Sequence, residues 1–396
     1  MYASRTILPL VINDISNDFG WTRFESGIAL SSFFWGYSIT QVIGGILADH
    51  YGGYIIISIS TIGWAALTCL LPLLMKQLKY IINPFYVLVL CRILTGCFQG
   101  FFYPSLSAIS SQEFHKNKSI TYSFIISGGY LGTILCGGLG SYILSMFRWS
   151  STFYLFGFVS FVWLIFYQKN FNRQLQENKY RLPTTKVETE PIYSVIIWKP
   201  AFWALIFAYL CQNVCFSILF SWLPTYFHDK HPEAKQWVVN VIPWCVSLPL
   251  TAMGGKLCDV LAKDYSLTTI RKSATFVSLV CTGLCLHVLT LSSHSLIISL
   301  IILMMAISCY SMVTVGLMIN PQDICPNNAG TVFGFMNMVG AVPGFTGVLV
   351  VGSFLQRSNN DWNTVFRLSS LVCLLDIWGI CLQNKAKTLE PIVAFE

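Results

Sequence analysis

Arg92, Gly96, Gln99, Gly100 and Tyr103 recur at i, i+4, i+7, i+8 and i+11 of one apolar run, so a cation, an amide and a phenol share a helical face. Ile93, Leu94, Phe98 and Phe101 fall on the other faces. A second stripe holds Tyr37, Gln41, Gly44 and Gly45, and a further cation, Arg5, lies in the apolar run from Met1 to Asn13. An arginine at the centre of a bilayer costs about 2.5 to 3.5 kcal/mol even on lenient insertion scales, so each one needs a reason. The stripes predict walls of an aqueous cavity, with Pro104 breaking the helix where cavity water can satisfy the freed backbone. The competing reading makes Arg92 a buried bridge between helices. A cavity with Arg5 and Arg92 and no obvious carboxylate is electropositive when empty, and guanidinium forks suit carboxylates and phosphates equally. On the residues alone, the ligand is an organic or inorganic anion.

Arg367, Asp376 and His287 also fall within apolar runs. Arg367 lies near the start of its run, where its stem can snorkel to the interface. Asp376 is deeper and has no assigned role, and His287 reads as a structural histidine.

These residues need helices that span a membrane. Of 396 residues, 55% are hydrophobic and only 10% charged, and the mean hydropathy is +0.63, which leaves too few charges to cover a soluble surface. The net charge of +7 comes from Lys and Arg scattered along the chain, mostly in loops and without a basic stripe, so nucleic-acid binding is not expected. Fourteen cysteines form no CxxC pair, and all but Cys258 and Cys325 lie in apolar segments, where they read as small fillers. No HExxH, GxSxG or Walker A string is present, so an enzyme is not expected, nor is a cofactor or metal.

A spanning helix needs about 20 apolar residues. Such runs occur at 24–48, 54–75, 85–110, 119–145, 149–168, 201–227, 236–256, 270–290, 295–318, 328–355 and 362–383. The run from Met1 to Asn13 reaches only about 20 Å and reads as the second half of a first helix truncated at its N-terminus, which makes twelve. The expected divisions are a six-helix bundle over 1–168, a cytosolic linker over 169–199, a second bundle over 200–384 and a cytosolic tail over 385–396. With both termini cytosolic, 14 basic residues lie in cytosolic segments against 7 opposite, although the central linker alone carries that bias. The sequon Asn117-Lys118-Ser119 then falls on the cytosolic side.

An internal repeat relates the halves. Gly44-Gly45-Ile46-Leu47-Ala48-Asp49 is matched by Gly254-Gly255-Lys256-Leu257-Cys258-Asp259 at an offset of 210 residues, and Gln112-Glu113, Thr121 and Gly137 match Gln322-Asp323, Thr331 and Gly347 at the same offset. Trp149 and Phe153 match Trp362 and Phe366 at 213. Parallel repeats of this kind are the arrangement of the major facilitator fold. Gly45 and Gly255 are expected to let helices approach closely, and Asp49 and Asp259 to accept hydrogen bonds from helix N-termini, closing the cytosolic side in one state.

Ser32-Phe33-Phe34-Trp35-Gly36-Tyr37, with Thr40-Gln41 and Gly44-Gly45, resembles the second-helix signature of the organic anion transporter family, which includes sialin, the vesicular glutamate transporters and the sodium-phosphate cotransporters. Arg92-Ile93-Leu94, Gly96, Gly100 and Tyr103-Pro104 are similar to that family's fourth helix. The resemblance runs from about Arg5 to about residue 380. The histidine and fourth-helix acid of the glutamate and sialic acid branches fall on Leu30 and Gln99, which carry no proton, and a seventh-helix arginine of the glutamate branch falls on Phe216. Asp18-Phe19-Gly20-Trp21, Ser221-Trp222-Leu223-Pro224-Thr225-Tyr226-Phe227, Pro232-Glu233-Ala234-Lys235-Gln236-Trp237 and Asn240-Val241-Ile242-Pro243-Trp244 resemble instead the vesicular nucleotide transporters of the same family.

That resemblance implies potential-driven uptake of ATP and other nucleotides into secretory or lysosomal vesicles that discharge by exocytosis, by a monomer. It implies Arg5 and Arg92 as substrate anchors, Tyr37, Gln99 and Tyr103 as cavity lining, and chloride as an activator. The alternatives are another anion, such as glutamate, sialic acid, urate or sodium-coupled phosphate, and residence in the plasma membrane.

Overall fold

A computed structural model of the chain describes residues 1–113, 117–178, 200–291 and 294–375. Twelve helices fill the described residues. The first six are α1 (Tyr2–Phe19), α2 (Arg23–Tyr51), α3 (Gly53–Leu78), α4 (Pro84–Glu113), α5 (Lys118–Met146) and α6 (Ser150–Asn178). The second six are α7 (Pro200–Lys230), α8 (Trp237–Leu261), α9 (267–288), α10 (Leu296–Ile324), α11 (Pro326–Arg357) and α12 (Trp362–Leu375). Asp376, most of the expected linker (179–199) and the expected tail lie outside the described residues.

Eight of the twelve are long and apolar enough to cross a membrane on their own: α3 to α8, α10 and α11. Of the other four, α1, α2 and α9 show why local hydropathy is not enough. Helix α1 has 18 residues, with Arg5, Asp14 and Asp18 among them, and α2 places Ser31, Ser32, Ser38, Thr40 and Gln41 in its middle turns. Arg5, Ser31, Ser32, Thr40 and Gln41 are buried against protein, and positions such as Ile39 and Ile43 remain apolar and exposed. Helix α9 opens on Arg271 and Lys272, and 14 described residues make up α12.

Helix ends follow from local chemistry. Helix α1 runs six residues past the apolar segment to Phe19 and stops at Gly20, whose φ of 71° is left-handed. A capping box starts α2: Thr22 Oγ1 accepts from the Glu25 amide at 3.2 Å, and the Thr22 amide donates to Glu25 Oε2 at 2.7 Å. Helix α4 breaks at Phe101, three residues before Pro104, because Pro104 has no N–H for the Gly100 carbonyl. Asp361 caps α12 by accepting from the Asn363 and Thr364 amides at 3.1 and 3.3 Å and from the Thr364 hydroxyl at 2.6 Å. These bonds, led by the hydroxyl, hold its carboxyl below the usual aspartate range.

The repeat is visible in hydrogen bonds. Trp149 Nε1 donates to Asp18 at 2.9 Å in the first half, and Trp362 Nε1 donates to Asp229 at 3.2 Å in the second. Each bond ties the end of a half's first helix to the start of its sixth. The Asp18 and Asp229 pair extends the repeat to positions that the matched strings do not include.

Candidate functional site

Between the halves lies a small cavity lined by residues of both. Helix α1 carries Arg5 into it, where Pro9 leaves the Arg5 carbonyl without its helical donor. The Arg5 guanidinium carbon lies 4.5 Å from the ring centre of Phe33, 4.9 Å from those of Phe34 and Tyr37, 5.4 Å from that of Phe220 and 5.6 Å from that of Tyr2. Arg5 is 4% exposed, its Nε has no hydrogen-bond partner, and no described carboxylate pairs with it. Aromatic faces offset part of the desolvation of a cation without neutralising it. No described carboxylate neutralises Arg5, and it is the one charged side chain among the described residues lining this cavity.

Tyr37 and Tyr103, both expected at the site, line the cavity beside Arg5. Arg92 and Gln99 do not line it. Arg92 is 4% exposed, with its guanidinium carbon 5.1 Å from the centre of the same Phe33 ring that Arg5 faces, and Gln99 is fully buried with neither side-chain end bonded. The glycines beside them explain the displacement. A Cβ on Gly96 would strike the Phe33 carbonyl and one on Gly100 the Thr40 hydroxyl, so the stripe that reads as a cavity wall is mainly the packing seam of α4 against α2. Thr40 Oγ1 closes that seam by donating to the Cys97 carbonyl at 2.8 Å. Small residues at four-residue spacing suit a water-lined wall and a tight helix pair equally, and only packing separates them. Leu30, at 2% exposure, belongs to the apolar core, and Arg367 is exposed, with Nε 3.4 Å from Thr290 Oγ1, as an interface anchor would be.

The second half supplies lining residues that sequence reasoning missed. Tyr209, Asn213 and Phe216 face the cavity from α7, Tyr310 and Thr314 from α10, and Asn337 from α11. Tyr209, Asn213 and Phe216 stand at i, i+4 and i+7, a signal equal to that of the Arg92 stripe but without a charge to draw notice. Asn337 joins the halves: its Nδ2 donates to Tyr37 Oη at 2.9 Å and to Gln41 Oε1 at 3.0 Å, and its Oδ1 accepts from Tyr209 at 2.8 Å.

Both ends of the cavity are latched by bonds between halves. At one end Asp49 accepts from the Gly330 amide at 3.1 Å, the Thr331 amide at 2.8 Å and the Thr331 hydroxyl at 2.7 Å. Asp259 accepts from the Ser119 and Ile120 amides at 3.2 and 2.9 Å. Each carboxylate sits on the N-terminus of a helix in the opposite half, where free amides and the helix dipole favour an anion. A Cβ on Gly45 would strike Gly330, and one on Gly255 would lie 2.7 Å from the Ser119 carbonyl and from Ser123. Lys118 Nζ adds a bond to Asp323 at 3.1 Å, and Asp323 also accepts from Arg271 at 3.1 and 3.2 Å. The sequon thus lies inside this latch. At the other end Arg23 pairs with Asp229 at 2.9 Å, and the Phe24 amide donates to Gln356 at 3.2 Å.

Residues 1–348 match the family profile described as Major Facilitator Superfamily. The chain is 33% identical over its full length to the "Voltage-gated purine nucleotide uniporter SLC17A9" of Mus musculus, covering 89% of that protein. It is 31% identical to "Probable anion transporter 4, chloroplastic" of Oryza sativa subsp. japonica, across 98% of this chain and 66% of that one. Among solved structures, a bacterial homolog of the human lysosomal transporter Spinster, in an inward-facing and occupied conformation, superposes with a TM-score of 0.65 at 14% identity, over 97% of this chain and 93% of its own.

Proposed function

The chain belongs to the major facilitator superfamily and, within it, to the organic anion transporters, and from that premise we propose that it carries nucleotides, ATP foremost, down a membrane potential into vesicles. The observation that carries this reading is Arg5, a buried, aromatic-caged cation with no carboxylate partner among the described residues, in a cavity latched at both ends. A phosphate chain satisfies that guanidinium bidentately. Arg92, 5.1 Å from the centre of the Phe33 ring and outside the cavity lining, would touch no ligand bound there in this arrangement and adds only its charge to the same field. Tyr37 and Tyr103 line the path.

One elementary charge crossing 100 mV gains about 2.3 kcal/mol, so a species with roughly four negative charges gains about 9 kcal/mol without a coupling ion. Leu30 and Gln99 offer no proton relay, in keeping with that economy. Alternating access follows from the two latches. Release of Asp49 and Asp259 opens the cytosolic end to load nucleotide, and release of Arg23 from Asp229 opens the lumenal end to discharge it. In this reading both termini are cytosolic, the membrane is that of a secretory or lysosomal vesicle, the unit is a monomer, and chloride activates it.

The second reading is transport of a different anion, supported by the likeness to the rice anion transporter. Proteoliposomes loaded to an inside-positive potential and offered ATP, glutamate, urate and phosphate in turn separate the two. Uptake of labelled ATP that excess glutamate, urate or phosphate fails to compete away supports nucleotide transport. Preferential uptake of one of the smaller anions, insensitive to excess ATP, contradicts it.

A further inference from the structure

We propose that the wall of the cavity built by α7 and α10 is a subsite for a flat, neutral nitrogen heterocycle, the nucleobase of the substrate; the inference rests on the nucleotide reading above and assigns the half of the ligand that Arg5 cannot hold. Phe216 and Tyr310 line the cavity and stack with ring centres 4.9 Å apart and planes 15° from parallel, and Phe216 stacks in turn on Phe220, so the ring face on which no other described ring stacks is that of Tyr310. Helix α7 has an odd place and α10 an even one in an up-and-down bundle, so they run antiparallel. Asn213 precedes Phe216 by one turn and Thr314 follows Tyr310 by one turn, which puts both polar side chains on the same side of the ring pair.

Their hydrogen bonding leaves capacity for a ligand. Asn213 gives one N–H to the Tyr209 carbonyl at 2.7 Å, and a carboxamide retains a second donor and an acceptor oxygen. Thr314 is 1% exposed, lines the cavity, and its hydroxyl has no partner. It also lies in a π turn, Thr314–Met318, the kind of local widening that concentrates at functional sites in helices. A buried hydroxyl without a partner is costly unless a ligand satisfies it. Among the described lining residues no charge stands on this wall, so it suits the uncharged end of a molecule whose charged end is drawn to Arg5. Adjacent donor and acceptor groups on a base edge pair with a carboxamide bidentately, and the base face packs on the Tyr310 ring.

The test compares ATP with inorganic triphosphate, which keeps the charge and lacks the base, on full-length protein in proteoliposomes under an inside-positive potential. Asn213→Ala should raise the ATP concentration for half-maximal uptake about tenfold, while inorganic triphosphate competes with residual uptake as it does in the wild type. Thr314→Val, scored by the same ratio and by the shift in melting temperature that each ligand gives the purified protein, provides a second variant should the first fold poorly. ATP and triphosphate weakened alike, or ATP unaffected in both variants, overturns the subsite and leaves nucleotide transport standing. A wild type that takes up no nucleotide overturns both.

Discussion

The carboxylate of Asp49, near the end of α2, accepts the backbone amide of Thr331 near the N-terminus of α11 at 2.8 Å, so a side chain of one half caps a helix of the other. Its counterpart 210 residues on, Asp259, takes the Ile120 amide at the start of α5 at 2.9 Å. The arrangement is reciprocal: each half provides one acid and one helix end. A latch built from both repeats holds the two bundles at two points and resists rotation about either.

Removing one acid should loosen one point. Charge-assisted hydrogen bonds contribute about 1.5 to 3 kcal/mol each, so Asp49→Ala should speed hydrogen exchange of the Gly330 and Thr331 amides at least tenfold. The Ile120 amide, bonded to Asp259, should change much less. Equal acceleration at both sites would mean that the latch opens only as a unit.

Close approach at the latch depends on two glycines. Gly255→Val should prevent closure, because even its Cβ would lie 2.7 Å from Ser123, and uptake should fall to background with the protein still folded. Gly347 provides the contrast: a Cβ there meets nothing within 4 Å. Gly347→Ala should leave uptake intact and stabilise its helix by up to about 1 kcal/mol, read from the melting temperature.

At the opposite end, Arg23 and Asp229 form a partly exposed pair, with side chains 30% and 9% accessible, so its net contribution is modest, about 1 kcal/mol. Either single substitution, Arg23→Glu or Asp229→Arg, should impair uptake through like-charge repulsion. The double exchange should recover part of it, though Trp362 then loses its acceptor. No recovery in the double variant would show that Asp229 acts only within its own half.

Asp361 gives a pH-dependent effect. Its folded carboxyl is held below the ordinary value by Thr364 and two amides, so its contribution is present above the unfolded value, near pH 4, and is lost as pH falls through the folded value. The stability difference between wild type and Asp361→Asn should therefore be constant from neutral pH to about pH 5 and shrink below about pH 4. A difference that grows on acidification contradicts the cap.

The helices were legible because apolar length and the 210-residue repeat are local and redundant signals. So were Asp49 and Asp259, since the matched Gly-Gly-x-Leu-x-Asp strings stand at corresponding helix ends. The cavity lining was legible only where a charge or a tyrosine marked it: Arg5, Tyr37 and Tyr103 are there. Arg92 and Gln99 were displaced because glycines that could have bordered water instead pack α4 onto α2. Asn213 and Asn337 were passed over because an amide carries no charge to mark it: Asn213 bonds within its own helix, and the partners of Asn337, Tyr209 and Tyr37 among them, come from other helices.

The central claim is that an unpaired Arg5 binds an anion that the membrane potential alone drives. The most direct measurement is ATP uptake into proteoliposomes under an inside-positive potential, compared among wild type, Arg5→Lys and Arg5→Ala, with a pH gradient at zero potential as the second driving force. The account predicts uptake by wild type under potential only, partial uptake by Arg5→Lys and none by a correctly folded Arg5→Ala. Uptake driven by the pH gradient alone, or wild-type rates in Arg5→Ala, would contradict it.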